Sequence, residues 1–155
     1  MYYNELNLVF PNIYSFWQFE QLGERFSLFC ILFCGMGLVF MVYWFYHNKC
    51  VIDGEWICLY LAVSVMFITY LLPHMHDRYA YLAEIVLLVY AWKNLQKLWI
   101  PIVANLIAME SYMRTLLWFS FPGADILFAL LRLALIVIVG RDLVLKTKEN
   151  KCKER

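Results

Sequence analysis

Many of the side chains that could do chemistry lie in one short stretch, LLPHMHDRYAYLAE, at residues 71–84. Within it, His74, His76, Asp77 and Arg78 stand together between two apolar runs. Imidazole, carboxylate and guanidinium groups can cap a helix, ligate a metal or hold an anion. The sequence therefore raises the question of which chemistry this cluster performs.

Three interpretations of the cluster remain open from its spacing. Asp77 precedes an apolar helical run and can act as its N-cap, so that the cluster is a solvated turn. His74, His76 and Asp77 are residue types that can ligate a metal. A His-x-His pair on a turn is weak evidence for a metal site, so none is predicted. His76 and Arg78 at a helix N-terminus can bind an anion such as a lipid-linked phosphate, because free N–H groups and a positive dipole meet there.

Four further charges lie within or beside apolar runs, where charged side chains are expensive and often functional. They are Glu84, Glu110, Arg114 and Arg132. Glu110 and Arg114 are spaced to pair on one helix face. Glu84 or Glu110 can also pair with Arg132 and hold helices together. The alternative is a cavity whose charges face a substrate.

Composition determines the expected fold class. The chain has 155 residues, of which 64% are hydrophobic, and its mean hydropathy is +0.64. Soluble domains are about half apolar. Because a lipid environment requires every backbone polar group to be paired internally, we expect an all-α integral membrane protein. The net charge of +1 does not indicate nucleic acid as a partner.

The hydropathy pattern predicts about five transmembrane helices plus an N-terminal interfacial amphipathic helix. Residues 1–25 form the interfacial segment, in which an aromatic stripe runs from Asn12 to Glu24. The transmembrane bundle covers 26–145, and residues 146–155 form a basic cytoplasmic tail. The predicted spans are 26–46, 56–72, 77–96, 98–113 and 124–145.

The distribution of Lys and Arg predicts the orientation. With the tail in the cytoplasm, nine basic residues lie inside and three outside, as the positive-inside rule requires. The His74–Arg78 turn then faces outward, with residues 1–25 and 114–123. We expect an integral protein of the bacterial cytoplasmic membrane, with its N-terminus outside the cell and its C-terminus in the cytoplasm.

Two segments resemble those of bacterial polytopic glycosyltransferases of the GT-C type, mannosyltransferase-like proteins related to the GPI mannosyltransferases. The first resembles that family's LP-x-MHERY-x-x-x-A-[DE] segment, with Asp77 in place of the usual Glu. The second resembles its L-x-x-N-x-PN-x-Y segment, with Val9 in place of the usual Asn. The matching residues are Leu72, Pro73, Met75, His76, Arg78, Tyr79, Ala83 and Glu84 in the first, and Leu6, Pro11, Asn12 and Tyr14 in the second.

The resemblance implies transfer of a sugar, mannose being one candidate, from a polyprenyl-phosphate donor at the extracytoplasmic face, with inversion. His76 and Arg78 would contact the donor phosphate, supported by His74, Asp77, Tyr79 and Glu84. Membrane lipid and the lipid-linked donor are the expected partners, and no other cofactor is predicted.

The family's catalytic base lies in an acidic outer loop near its N-terminus, and nothing in this chain matches that loop. We therefore expect the C-terminal half of such an enzyme, inactive alone unless an N-terminal partner chain supplies the base. Two alternatives remain. One is a small stand-alone membrane subunit or scaffold with a headgroup-binding turn. The other is a transporter fragment that uses Glu84 and Arg132 as an internal ion path.

Overall fold

The computed structural model describes residues 11–16, 20–48, 52–73, 77–117 and 124–153. Within these ranges the chain is almost entirely helical and contains no strand, which confirms the all-helical prediction. The five α-helices are α1 (Glu20–Asn48), α2 (Gly54–Leu71), α3 (Tyr81–Lys93), α4 (Trp99–Leu117) and α5 (Ala124–Lys153). Three short 3-10 turns accompany them, at Ile13–Phe16, Asp77–Ala80 and Leu95–Lys97.

Among the described residues, two helices are by length and composition apolar enough to cross a membrane. They are the Arg25–Asn48 part of α1 and the whole of α2. A bilayer core about 30 Å thick needs about 20 helical residues. The 13 residues of α3 are too few for this by themselves.

Helix α2 lies at the centre of the bundle and packs against α1, α3 and α5, while α4 packs against α3 and α5. Its core positions, among them Leu59, Ala62, Val63 and Met66, recur every three or four residues, as expected for one buried face of a helix. Most of α1 remains exposed, because only one narrow face contacts the rest of the chain.

The predicted amphipathic helix from Asn12 to Glu24 is not present as one element. Instead, a 3-10 turn covers Ile13–Phe16, and α1 already begins at Glu20. Asn12 Oδ1 accepts a hydrogen bond from Tyr14 N at 2.9 Å, and Asn12 N donates to Ser15 Oγ at 3.1 Å. Such local bonds give the backbone an alternative to an α-helix.

The predicted third span, 77–96, is also divided. Asp77 is the first residue of a 3-10 turn, so the N-cap of α3 is Ala80 rather than Asp77, and it has no side-chain cap bond. The helix ends before Asn94, whose φ of −127° and ψ of 75° are not helical. Asparagine readily leaves a helix because its side chain competes for backbone hydrogen bonds.

Residues 146–153, which belong to the predicted basic tail, continue α5 as a helix. Trp56 Nε1 donates to Thr147 Oγ1 at 2.9 Å, and Lys146 Nζ lies 2.7 Å from Glu55 Oε2. The hydrogen bond to Glu55 raises the pKa of Lys146, so this ammonium stays charged. The extension is therefore helical because it packs on the start of α2.

A second ion pair lies at the same end of the bundle, which we call the Lys146 end. Lys97 Nζ lies 2.6 Å from Asp142 Oδ2 and donates to Tyr90 Oη at 2.9 Å. Burial disfavours the charge of Lys97, but the hydrogen bonds to Asp142 and Tyr90 outweigh it and raise its pKa. This pair connects the turn between α3 and α4 to α5.

Gly37 lies at a close approach of α1 to Phe67 of α2. A Cβ atom there would lie 2.6 Å from Phe67 Cε1 and 2.8 Å from its Cζ, whereas one at Gly35 would meet nothing within 4 Å. We expect Gly37→Ala to lower the free energy of unfolding by about 1–3 kcal/mol through overpacking. Gly35→Ala should raise it by about 0.5–1 kcal/mol through helix propensity. Denaturant unfolding in detergent measures the free energy of unfolding of both variants. If the two substitutions change it equally, Gly37 does not lie at a close approach between the helices.

Candidate functional site

The opposite end of the bundle, which we call the Tyr14 end, brings two distant segments together. Tyr14 Oη donates a hydrogen bond to the backbone oxygen of Leu71 at 3.0 Å, across 57 residues of chain. Tyr14 is 1% exposed, and its ring packs edge-on against Phe26. Burial raises the pKa of Tyr14, so its hydroxyl stays protonated and continues to donate.

Arg132 is the central polar residue at this end. It is 3% exposed, and its Nη1 donates to Pro11 O at 3.0 Å. Its Nη2 donates to Thr69 Oγ1, which itself donates to Val65 O at 2.7 Å. A buried charge is tolerated only when it is paired and hydrogen-bonded. One guanidinium therefore links α5 to α2 and to the 11–16 segment.

Glu84 supplies the opposite charge. It is 7% exposed and interacts electrostatically with Arg132. The two side chains line a cavity of about 20 Å³ between α2, α3, α4 and α5. Such a volume holds about one water molecule. The remaining lining residues are apolar: Met66, Ala80, Ala83, Leu87, Ala104, Ile107 and Leu135.

Asn12 adds a polar group beside this centre, next to the carbonyl of Pro11 that Arg132 contacts. It is 0% exposed, and its Oδ1 accepts from Tyr14 N. Its Nδ2 has no hydrogen-bond partner within the part of the chain that the structure describes. A buried donor without an acceptor is destabilising by about 1–3 kcal/mol.

The residues of the opening cluster are only partly described. His74 and His76 lie outside the described residues, and so does the side chain of Asp77. Arg78 and Tyr79 occupy the 3-10 turn that leads into α3, and both are exposed. The cluster thus immediately precedes the helix that carries Glu84.

The other predicted charges lie on α4. Glu110 is half-buried, while the side chain of Arg114 lies outside the described residues. Their pairing therefore stays a prediction. In contrast, Arg132 and Glu84 line one cavity. Such proximity is required if Arg132 pairs with Glu84 rather than with Glu110.

Sequence reasoning missed Thr69 as a partner of Arg132. Threonine within an apolar run is ordinary and normally satisfies itself by donating to the backbone one turn earlier, as Thr69 also does here. Only the approach of α5 to α2 shows that its oxygen also accepts from a guanidinium.

Comparison with known proteins gives no relative. No protein-family model matches the chain, and neither a curated protein nor a solved structure matches it. A functional conclusion therefore depends on the chemistry and placement of the residues themselves.

Proposed function

We propose that the chain is an integral membrane protein with five spans that forms the donor-binding part of a GT-C type glycosyltransferase. Its ligand is a polyprenyl-phosphate sugar at the extracytoplasmic face. The Tyr14 end faces outward and the Lys146 end faces the cytoplasm. His76 and Arg78 contact the donor phosphate.

The observation that carries the proposal is the hydrogen bond from Tyr14 to Leu71. Tyr14 belongs to the PN-x-Y segment, and Leu71 directly precedes the LP-x-MHDRY segment. These two segments carry the resemblance to the glycosyltransferases. Their meeting at one end of the bundle supports a shared site rather than two unrelated matches.

The charges around this site favour an anionic headgroup. Arg78 is exposed on the turn that precedes α3. A guanidinium binds phosphate oxygens in a fork geometry, and a helix N-terminus adds free N–H groups. Lys97 and Lys146 lie at the opposite end, which agrees with that end facing the cytoplasm.

A lipid-binding measurement tests the proposal. The full chain is placed in nanodiscs that contain phosphatidylglycerol, so that ordinary anionic headgroups are already in excess. Sugar-free polyprenyl phosphate is then titrated, and binding is followed by native mass spectrometry. We expect Arg78→Ala and His76→Ala each to weaken binding by about 10- to 100-fold, since each removes a hydrogen bond to a charged group.

Lys93→Ala is the matched control, because it removes an exposed cation near the other end of α3. Its affinity should equal that of the unmodified chain. If the unmodified chain binds polyprenyl phosphate no more tightly than phosphatidylglycerol, the proposal is overturned and a scaffold subunit is favoured. Unchanged binding by both turn variants, with unchanged thermal unfolding, would overturn the assigned phosphate contact.

A further inference from the structure

Phosphate binding at Arg78 does not account for the cavity between Glu84 and Arg132. We propose that it is a subsite for a single hydroxyl group of the sugar carried by the lipid-linked donor. The inference rests on the proposed function, and it identifies the part of the ligand that the buried pair recognises. It also gives the site a means of selecting the sugar.

The size of the cavity limits what can enter. Its volume of about 20 Å³ admits one oxygen-sized group. Ala80, Ala83 and Ala104 form part of its wall, so small side chains keep the space open. Only 7% of Glu84 and 3% of Arg132 is exposed, so both charged residues are almost fully withdrawn from the surface.

The charges determine which group is preferred. A carboxylate accepts hydrogen bonds and a guanidinium donates them, while a hydroxyl does both. The opposite charges of Glu84 and Arg132 compensate each other, so a further phosphate would gain little and would meet a like charge on Glu84. A neutral hydroxyl suits this pair better than an anion does.

The position along the chain agrees with the order of groups in the donor. Glu84 follows Arg78 by six residues, from the 3-10 turn into the first turn of α3, which corresponds to a rise of about 10 Å. A phosphate held near Arg78 therefore places the attached sugar toward the cavity. The phosphate and the sugar would be recognised by two consecutive elements, the 3-10 turn and the first turn of α3.

The experiment compares sugar-bearing with sugar-free lipid in the same nanodiscs. The probes are polyprenyl phosphate alone and polyprenyl-phosphate glucose, mannose and galactose. We expect at least one sugar-bearing lipid to bind at least about tenfold more tightly than the sugar-free lipid. Ala104→Val, which adds two methyl groups to the cavity wall, should bring this ratio close to one. Binding of the sugar-free lipid should not change.

Ala134→Val is the matched control, since Ala134 is exposed on α5. Monodeoxy sugars provide a second measurement that needs no variant. Removal of one particular hydroxyl should weaken binding at least about tenfold, while removal of the others should have smaller effects.

The outcomes separate the two proposals. If the sugar-free lipid binds as tightly as every sugar-bearing lipid, the hydroxyl subsite is refuted while the phosphate site stands. If Ala104→Val keeps the full preference for a sugar, the subsite lies elsewhere and the inference fails. If no lipid phosphate binds, the proposed function fails and this inference fails with it.

Discussion

Arg132→Met should lower the free energy of unfolding by about 3–5 kcal/mol, because it removes a buried cation that donates two hydrogen bonds and interacts electrostatically with Glu84. The substitution removes the positive charge that interacts with the buried Glu84. It also removes the donors to Pro11 O and Thr69 Oγ1, so the 11–16 segment loses its link to α5. The measurement is denaturant unfolding in detergent micelles.

Arg141→Met is the matched control, because Arg141 lies on the same helix but is exposed. Its effect should stay within about 0.5 kcal/mol. Adding Glu84→Gln to Arg132→Met should recover part of the lost stability, since a neutral amide does not need the positive charge of Arg132. Equal losses for Arg132→Met and Arg141→Met would show that the buried pair contributes nothing particular to folding.

Trp56→Ala should lower the free energy of unfolding by about 3–5 kcal/mol, as expected for removal of a buried indole. Trp56 is 4% exposed and stacks on Tyr60 with ring centroids 5.0 Å apart. It also packs 4.6 Å from the ring of Phe45 on α1. Its Nε1 donates a hydrogen bond to Thr147 Oγ1, so we expect Trp56→Ala to increase amide hydrogen exchange in the last turns of α5.

Trp92→Ala is the control for this prediction, because Trp92 is 82% exposed. Its unfolding free energy should change by no more than about 0.5 kcal/mol. Thr147→Val keeps the indole but removes its hydrogen bond to Thr147, together with the bond from Thr147 Oγ1 to Leu143 O, and should cost about 0.5–1.5 kcal/mol. If Trp56→Ala leaves exchange in 146–153 unchanged, the C-terminal extension of α5 does not depend on Trp56.

The helices of this chain follow from apolar runs that can be identified without tertiary information. The uncharged run 26–46 lies within α1, and the run 56–72 nearly coincides with α2. Long, strongly apolar segments must satisfy their backbone internally, and a helix does this with local bonds alone. The ends were harder to predict, since the hydrogen bonds of Asn12 accompany a 3-10 turn where a longer helix was expected, and Thr147 contacts Trp56 in the extension of α5.

The candidate site was predictable in its residue types but not in its pairing. His76, Arg78 and Glu84 stand close together in one segment, so spacing alone indicates a polar turn followed by a buried carboxylate. Arg132 could equally have met Glu84 or Glu110, because a one-dimensional pattern does not determine which helices become neighbours.

The sequence by itself determined that the chain is helical, where most apolar helices lie and which polar residues stand among them. Local hydrogen bonding and hydropathy are sufficient for these properties. Only the tertiary structure decided that Arg132 contacts Pro11 across 121 residues and Thr69 across 63 residues. Those partners depend on how α5 packs against α2, and that packing results from the combined burial of many side chains.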